Sequence, residues 1–501
     1  MEREVARPRM SFRMRLENFR LFLDTGFFRI APLTVLVGRN SSGKSSVITA
    51  LLLLEQSLEQ EALSSTVTPL TLNGPYCELG NYGDIVHKHD ESSQISFSFL
   101  ATLRDLTASR FQEPRSFVSL AVPRTQLPGR YVFYGRYSDV PLPGRGNIVA
   151  RLTFSTDEPF GPSLSRIEVE VERIGSATFV RTISGERRQH WRVYTTSLPP
   201  RSLALSVPAR AFFPIIEIRS ASYTRSAPRT KHEIRTFAAA CHSLFGFLNR
   251  ALMRNEVMGP FRTPPERRYA FAGFSTSRTG PSGERAIDLL ITESLLAGDG
   301  ARPLRDAISF WMRHLKLAES LDIKDIAKRL NLFEVDVSGA GLGTQANLAD
   351  VGFGISQVLP VIVQGLLTRP GGFYLVQQPE IHLHPDAQAG LADFFIYLAS
   401  YGVITVVETH SEYLLLRLRR RLAEGGGPAT AGLPIERADT KPLTRHEVAI
   451  LLTESTSQGD ASITELEIGE SFQFENLPRG FMSQSLDDRM ALLSVVGQSH
   501  G

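Results

Sequence analysis

The chain has 501 residues, of which 42% are apolar, enough for a large core and two or three subdomains. Its two cysteines, Cys77 and Cys241, fit neither a disulfide framework nor a zinc site, and no apolar run approaches the roughly 20 residues that cross a bilayer, so we expect a cytoplasmic protein without a membrane partner. A formal net charge of +3 is too small to indicate nucleic-acid binding, and direct contact with DNA stays open.

The first predicted unit, residues 1–93, contains a complete phosphate-binding motif. Residues 38–45 read Gly-Arg-Asn-Ser-Ser-Gly-Lys-Ser, a G-x-x-x-x-G-K-S loop. The loop follows a predicted strand, Leu33–Val37, and precedes a predicted helix, Val47–Gln56, which is the context that the motif requires. Further strands are predicted before it, at Met10–Phe19 and Phe27–Ile30.

The residue types of this loop suit a nucleoside triphosphate. Backbone N–H groups and the helix N-terminus face the phosphates, Lys44 reaches the β- and γ-phosphate oxygens, and the Ser45 hydroxyl ligates Mg²⁺. A glycine-rich connector is the alternative, but it rarely combines both glycines, the Lys-Ser pair and these flanks. We predict that ATP or GTP is bound by Gly38, Arg39, Asn40, Ser41, Ser42, Gly43, Lys44, Ser45 and Ser46.

Two regions of different secondary structure follow. Residues 94–218 alternate apolar and polar residues between Pro/Gly-rich turns, which indicates a β-rich lobe. Residues 219–330 carry apolar residues at three- and four-residue spacing, which indicates helices. The predicted strands are Gln94–Leu103, Arg130–Tyr134, Ile148–Phe154, Arg166–Arg173 and Trp191–Thr196. The predicted helices are Lys231–Arg254, Gly283–Ala297 and Pro303–Leu317.

Strands and helices alternate again in residues 331–424, which precede a glycine-rich break and a small domain, residues 425–501. The strands predicted in the first part are Leu332–Val337, Phe373–Val376 and Val403–Val407, and the helices are Gly354–Leu367, Asp386–Leu398 and Glu412–Ala423. Two more strands are predicted in the second part, Glu447–Leu452 and Ser462–Phe474. The whole pattern predicts an α/β fold with inserted β-rich and helical regions and a small C-terminal α+β extension.

Polar residues follow two of these strands. Phe373–Val376 leads into Gln377-Gln378-Pro379-Glu380, and the next strand ends in Glu408-Thr409-His410-Ser411. This order is that of an ABC-type ATPase head, a P-loop NTPase in which we expect the phosphate-loop strand and the strand before residue 377 to lie side by side. A neighbouring strand there delivers a histidine to the γ-phosphate. His410 takes that place, unless it begins a helix without binding a ligand. The candidate catalytic residues are Gln377, Gln378, Glu380, Glu408 and His410.

Stretches over most of the chain resemble one family. They are Leu16–Phe19, Gly259–Arg262, Arg268–Tyr269, Asp350–Gln357, Gln378–Pro385, Glu408–Ser411 with Arg417, and Leu477–Phe481. With them the sequence is similar to bacterial AAA-type ATPases with SMC-like, ABC-type heads, relatives of the overcoming-lysogenisation-defect ATPases, in the subgroup with a short C-terminal domain of unknown function. Residues 94–214 show no such likeness.

The resemblance implies an ATP sandwich, a homodimer or higher homo-oligomer in which one subunit caps the γ-phosphate held by the other. The capping segment would be Gly352–Gln357 at the start of a helix, with the nucleotide contacted by Gly354, Ser356 and Gln357. We expect the Ser356 hydroxyl to be the donor, because a helix N-terminus with small side chains can approach an anion closely. His382 and His384 would face the dimer; their spacing also permits a metal site, but no third ligand is near in sequence.

The implied cofactors are ATP and Mg²⁺, with the ion held by Ser45 and, through water, by Gln377. One departure affects the mechanism, because the family has Glu followed by Gln where this chain has Gln377 and Gln378. An amide cannot act as a general base, whose loss costs about 10² to 10⁴ in rate, so we expect slow hydrolysis. A natural slow switch and a Glu-to-Gln substitution that traps the ATP state both agree with the sequence. Glu380 or Glu408 would partly compensate.

Three functions agree with such a site. The first is an ATP-gated sensor or scaffold in prokaryotic anti-phage defence, similar to Septu-like systems, in which dimerisation controls a separate effector, a nuclease. The residues after Ser411 contain no Asp-x-Asp, and the pair Asp487-Asp488 alone is more typical of a helix cap or a solvated turn than of a nuclease site, so we expect the effector to be another chain. The second is a repair or chromosome-processing head that clamps DNA, for which Arg417–Arg421 is the candidate surface, although a solvated helix face explains this cluster too. The third, a transporter ATPase, lacks a segment that would couple to a membrane partner.

Overall fold

The computed structural model describes most of the chain. The described residues are 11–59, 70–109, 140–157, 161–184, 188–199, 202–206, 213, 215–219, 223–253, 255–273, 278–297, 302–327, 330–339, 345–427, 441–456 and 459–476. The predicted strand Arg130–Tyr134 and the stretch Leu477–Phe481 lie outside them. No helix within these residues is long and apolar enough to span a bilayer.

The described elements are twenty strands and nine α-helices of at least one turn. The strands are β1 Phe12–Phe19, β2 Phe22–Asp24, β3 Phe28–Ile30, β4 Leu33–Gly38, β5 Ile95–Thr102, β6 Asn147–Asp157, β7 Gly161–Val171, β8 Gly175–Ser184, β9 Arg188–Thr196, β10 Leu203–Ser206, β11 Ile215–Ile218, β12 Glu256–Met258, β13 Tyr269–Ala270, β14 Ser320–Ala327, β15 Leu332–Ser338, β16 Ala346–Asn347, β17 Phe373–Gln377, β18 Ile404–Glu408, β19 Val448–Ser455 and β20 Ala461–Leu466. The helices are α1 Lys44–Glu59, α2 Tyr82–Ile85, α3 Leu103–Ser109, α4 Pro228–Leu252, α5 Ala286–Ala297, α6 Pro303–His314, α7 Phe353–Leu367, α8 Pro385–Ser400 and α9 Glu412–Ala423.

A six-stranded central sheet holds the phosphate loop. Its strand order is β12-β17-β18-β4-β19-β20. The first five strands run parallel, and β20 returns antiparallel to β19. Because parallel strands end at one edge of a sheet, the segments that follow β4, β17 and β18 meet there.

The central strands are apolar on both faces, as parallel strands between two helical layers must be. In β4, Leu36 belongs to one hydrophobic core, whereas Leu33, Val35 and Val37 belong to another. Helices α1 and α4 contribute to the first core, and helices α5 to α9 to the second. The two-residue alternation of the strands therefore places the sheet between two separate cores.

The expectation that β17 lies beside the phosphate-loop strand is wrong. Strand β18 pairs with β4 on one side and with β17 on the other, so β18 separates them. The crossover through α8 brings β18 between the two strands. Strand order depends on how such crossovers pack, and local sequence does not encode it. The consequence is that Glu408, the last residue of β18, lies nearer to the phosphate loop than Gln377.

A second, antiparallel sheet forms the β-rich lobe, with the order β2-β1-β5-β6-β7-β8-β9 and β3 beside β1. It begins with strands from the first thirty residues, so the lobe is continuous with the N-terminal hairpin. Smaller sheets pair β10 with β11, and β13, β14 and β16 around β15.

Most predicted elements are confirmed, with shifted ends. Helix Glu412–Ala423 is confirmed to the residue, whereas α1 begins at Lys44 and not at Val47. Strand β14 lies in a region for which only helices were predicted, and β20 ends at Leu466, so the strand predicted to reach Phe474 is too long. Strands β19 and β20, from the stretch that the sequence set apart as a small domain, belong to the central sheet.

Candidate nucleotide-binding site

The phosphate loop turns sharply between β4 and α1. Gly38, Ser41 and Gly43 have positive φ angles of 141°, 58° and 101°. A Cβ on Gly38 would lie 2.2 Å from the carbonyl oxygen of Thr453, and one on Gly43 would lie 2.8 Å from Cζ of Phe22. Both positions thus require glycine for conformation and for space.

Lys44 folds back onto its own loop. Its side chain is buried, and Nζ donates to the carbonyls of Gly38 at 3.0 Å and Arg39 at 2.6 Å. Burial lowers the pKa of Lys44, and the carboxylate of Glu408 opposes that shift. The ammonium group therefore lies beside the phosphate-binding backbone, bonded to acceptors that phosphate oxygens can replace.

Ser45 and Glu408 are in direct contact. The Ser45 hydroxyl lies 2.9 and 3.0 Å from the two carboxylate oxygens of Glu408, and Nε2 of Gln377 donates to the second of them at 3.0 Å. An ionised carboxylate can only accept, so the Gln377 amide presents its NH₂ group to Glu408. The register of the sheet sets this arrangement, because Gln377 pairs with Glu408 and Glu408 with Leu36.

Two of the three residues Ser45, Glu408 and Gln377 fit a magnesium ion. The Ser45 hydroxyl and the Glu408 carboxylate are hard oxygen ligands that lie next to each other, which suits Mg²⁺. Gln377 was predicted as the other metal contact, but its amide donates to Glu408. Among the described residues, no group of three or more His, Cys, Asp or Glu side chains could hold a metal ion. His382 and His384 therefore have no third ligand of these types nearby.

Arg262 holds the segment after β17. Its Nη2 donates to the carbonyls of Gln377 at 2.8 Å and Gln378 at 3.1 Å, and its side chain is buried. Gln378 has a φ of 46°, and its N–H donates to the carbonyl of Glu408 at 2.7 Å. Arg262 belongs to one of the stretches that resemble the family, but the sequence assigned it no role. No local pattern shows that it reaches Gln377 and Gln378, more than a hundred positions away.

His410 lines the pocket, whereas Glu380 binds the backbone next to it. Oε1 of Glu380 accepts the backbone N–H of His410 at 2.6 Å, and burial raises the pKa of this carboxyl. The His410 side chain lines the pocket, and burial together with the positive charge of Lys44 lowers its pKa, so the imidazole is neutral near pH 7. Glu380 thus supports the backbone that positions His410.

The loop opens into a pocket of ≈ 680 Å³. The predicted site residues in its lining are Asn40, Ser41, Gly43, Lys44, Ser45, Ser46, Gln378, Glu408 and His410. The lining also includes residues that the sequence did not indicate: Arg20, Leu21, Asp84, Val86, His87, Lys88, His89 and Gly459. The predicted residues Gly38, Arg39, Ser42, Gln377 and Glu380 do not line the pocket.

The predicted capping segment lies at the start of α7, away from this pocket. Gly354, Ser356 and Gln357 do not line it. Ser356 is only 5% exposed, and its hydroxyl donates to the carbonyl of Phe353 at 2.9 Å. The exposed residues of this helix end are Gly352 and Phe353.

Comparison with known proteins gives one family match, and no curated protein matches the chain. Residues 285–417 match the family model described as "AAA domain, putative AbiEii toxin, Type IV TA system". The match includes Gln377, Glu408 and His410, and the phosphate loop lies before it. Residues 285–417 are therefore similar to an AAA-type ATPase domain, and they lie within an α/β fold.

Solved structures with some similarity are heads of SMC proteins. An SMC head bound to the C-winged helix domain of ScpA has 10% identity and a TM-score of 0.39 over 92% of this chain and 98% of that chain. An SMC head with an extended coiled coil bound to the C-terminal domain of ScpA, derived from Pyrococcus furiosus, has 11% identity and a TM-score of 0.38 over 97% of this chain and 100% of that chain. An SMC head domain from Thermotoga maritima has 9% identity and a TM-score of 0.32 over 91% of this chain and 98% of that chain.

Proposed function

We propose that the chain is an ATP-binding head that hydrolyses ATP slowly, closes as a homodimer or higher homo-oligomer around the nucleotide, and gates a separate effector, a nuclease, in prokaryotic anti-phage defence. The observation that carries this proposal is the contact between Ser45 and Glu408 beside buried Lys44. A glycine-containing loop, a lysine, a hydroxyl and a carboxylate at one helix N-terminus are the groups that a triphosphate with Mg²⁺ requires.

Ser45 and Glu408 would hold the ion. When bound, Mg²⁺ supplies positive charge to the β- and γ-phosphates. Lys44 supplies a second positive charge by exchanging the carbonyls of Gly38 and Arg39 for phosphate oxygens. The backbone of the loop orients the phosphates, and the neutral imidazole of His410 is placed to hydrogen-bond the terminal one.

Slow hydrolysis follows from the lack of a free general base. Gln377 is an amide, and Glu408 is shared between Ser45 and Gln377. The lowered pKa of His410 makes its imidazole a weak base, and Glu380 is engaged with backbone behind the pocket. Because hydrolysis would be slow, the ATP-bound state would be long-lived, as a nucleotide-controlled switch requires.

Closure on a second copy is proposed from the start of α7. A helix N-terminus favours an anion, and Gly352 and Phe353 leave this end exposed. A γ-phosphate held by another subunit would be the anion. Since Ser356 and Gln357 are both buried, we assign the contact to the backbone of residues 352–354 more than to the side chains of Ser356 and Gln357.

Defence is favoured over DNA clamping by two observations. The matched family description names a toxin of a toxin–antitoxin system. In addition, the arginines suggested as a DNA surface are engaged within the chain. Arg417 and Arg421 bind the buried carboxylate of Asp393 at 2.8 and 2.6 Å, and Arg419 and Arg420 contact the carbonyl of Phe472 and the carboxylate of Glu424. A basic surface elsewhere would be needed for the alternative, a repair or chromosome-processing head.

The test is ATP binding by calorimetry with and without Mg²⁺. We expect binding that Mg²⁺ strengthens and that Lys44→Ala abolishes, because the loop loses its one full positive charge at the β- and γ-phosphates. Lys316→Ala is the matched control, since this exposed lysine pairs with Asp386 on the surface. ATP affinity that is equal in the parent and in Lys44→Ala would exclude this loop as the nucleotide site.

A further inference from the structure

Arg262 is a buried cation that forms no salt bridge with any carboxylate of the described residues. It follows β12 in the chain and is 6% exposed. Its Nε and Nη1 have no hydrogen-bond partner among the described residues. Burial lowers the pKa of Arg262, and the carboxylate of Glu380 opposes that shift only from a distance. Since a buried charge without a salt bridge costs stability, stability does not explain this arginine.

The groups that Arg262 does bind are two successive carbonyls. Its Nη2 donates to the oxygens of Gln377 at 2.8 Å and of Gln378 at 3.1 Å. The φ angle of Gln378 is the torsion between the carbon atoms of these two carbonyls, and it is 46°. This is the left-handed region, which residues other than glycine avoid. Because one donor is shared by both oxygens, the contact resists rotation about this torsion.

The N–H of Gln378 is held as well. It donates to the carbonyl of Glu408 at 2.7 Å. The backbone on both sides of the Gln378 Cα is thus bonded to another part of the chain, which is how a left-handed residue persists in a folded protein. Without the bonds from Arg262 we expect Gln378 to relax toward an extended or right-handed conformation, which changes the direction of its side chain.

The direction of this side chain matters because Gln378 lines the pocket, whereas Arg262 does not. The amide of Gln378 carries a donor and an acceptor, so it can bind a water molecule or a phosphate oxygen. A buried charge and a left-handed residue are each unfavourable by themselves, and such departures concentrate at functional sites. Here the two are in direct contact at the edge of the pocket.

We propose that Arg262 is a positioning residue for ATP hydrolysis, which acts by holding Gln378 in the left-handed conformation that keeps its amide in the pocket. This rests on the proposed ATP binding and hydrolysis. Since Arg262 lies outside the lining, it acts on the reaction through Gln378. Lys44 and the loop backbone hold the phosphates without it, so Arg262 influences turnover and not ATP affinity.

The test is a double-mutant cycle on phosphate release with Mg²⁺, with ATP affinity measured by calorimetry. Arg262→Met removes the donors and the buried charge but keeps a long, unbranched side chain. We expect it to lower turnover about 10- to 100-fold at unchanged affinity, as a misplaced group in an active site does. Gln378→Ala should lower turnover as well. The double variant should be no slower than Gln378→Ala alone, because Arg262 acts through that side chain.

Arg268→Met is the matched control, because this exposed arginine of the same segment pairs with Glu334 on β15, and it should hydrolyse ATP like the parent. Equal turnover in the parent and in Arg262→Met would overturn the proposal. Effects of the two single substitutions that multiply in the double variant, or a loss of ATP affinity in Arg262→Met, would also overturn it.

A parent that binds or hydrolyses no ATP would contradict the proposed function itself and not only the role of Arg262. Thermal unfolding of each variant shows whether the fold persists. If Arg262→Met does not fold, Arg262→Lys takes its place in the same cycle, since lysine keeps the charge and a donor on a shorter side chain. Its smaller loss of turnover should likewise disappear in the Gln378→Ala background.

Discussion

At the scale of single residues, Glu408 is the carboxylate that contacts the phosphate loop. It is 4% exposed and bonds both Ser45 of the phosphate loop and Gln377 of the next strand. The amide of Gln377 therefore acts as a neutral neighbour of this carboxylate, where related ATPases are expected to have an acid. In the proposed function, Glu408 supplies one negative charge toward Mg²⁺, and the amide of Gln377 adds none.

Gln377→Glu is predicted to raise ATP turnover by at least about tenfold when Mg²⁺ is present, because it adds the general base that the site lacks. Without the ion, two carboxylates about 3 Å apart repel each other, which raises the pKa of one of them. We expect the gain to require Mg²⁺ and the variant to unfold at a lower temperature in its absence. Steady-state phosphate release over a range of Mg²⁺ concentrations measures this.

Gln94→Glu serves as the control for this substitution, because it adds the same charge at an exposed position, and it should hydrolyse ATP like the parent. Equal turnover in the parent and in Gln377→Glu would show that position 377 does not act on water, and that Glu380 or Glu408 carries the chemistry.

At the scale of elements, strand β19 braces the phosphate loop. Thr453 pairs with Gly38 across the sheet, and its hydroxyl lies 2.6 Å from the Ser42 hydroxyl and 3.2 Å from the carbonyl oxygen of Val37. The same hairpin carries Asp460 at its turn. The β19–β20 hairpin thus contacts both the phosphate loop and, through Asp460, the side chains of His87 and Lys88.

Thr453→Val is predicted to weaken ATP binding about 2- to 10-fold, since it removes a buried hydroxyl that holds the loop through Ser42 and a lost hydrogen bond changes affinity by that order. Calorimetry gives the affinity, and the fold should persist because valine has nearly the same shape. Thr464→Val, at an exposed position on β20, is the comparison. An unchanged affinity in Thr453→Val would mean that the loop keeps its shape without β19.

At the scale of the whole molecule, the proposal depends on two copies meeting at the start of α7. The substitution Ser356→Arg would test this contact poorly, because Ser356 is buried and the larger side chain would overpack the core. Gly352 is a better position for an added side chain. It is exposed, its φ is −56°, and nothing lies within 4 Å of an added Cβ.

Gly352→Arg is predicted to leave ATP binding to a single chain unchanged and to abolish an increase in molar mass on addition of ATP, because the side chain blocks the approach of a second subunit. Light scattering after size exclusion, with and without ATP and Mg²⁺, measures this. Gly144→Arg adds the same charge where an added Cβ also meets nothing. Assembly of Gly352→Arg like the parent would rule out the sandwich through this helix end.

The sequence by itself determined the features that depend on neighbouring residues. The eight residues from Gly38 to Ser45 predicted the phosphate loop, and apolar spacing predicted α4 to α9 within a few residues. Strands were harder, since β14 alternates polar and apolar residues only over residues 320–324 and loses this pattern at the register shift in its pairing with β15. Local periodicity and a compact motif carry such information within a short window.

Only the tertiary structure decided which side chains meet. It placed β18 and not β17 beside the phosphate loop, joined β19 to the central sheet, and engaged Arg417 and Arg421 with Asp393. It also brought His87, Lys88 and His89 into the lining of the pocket. Each of these contacts joins segments distant in the chain, and strand order and crossover packing, which set such contacts, depend on the whole fold.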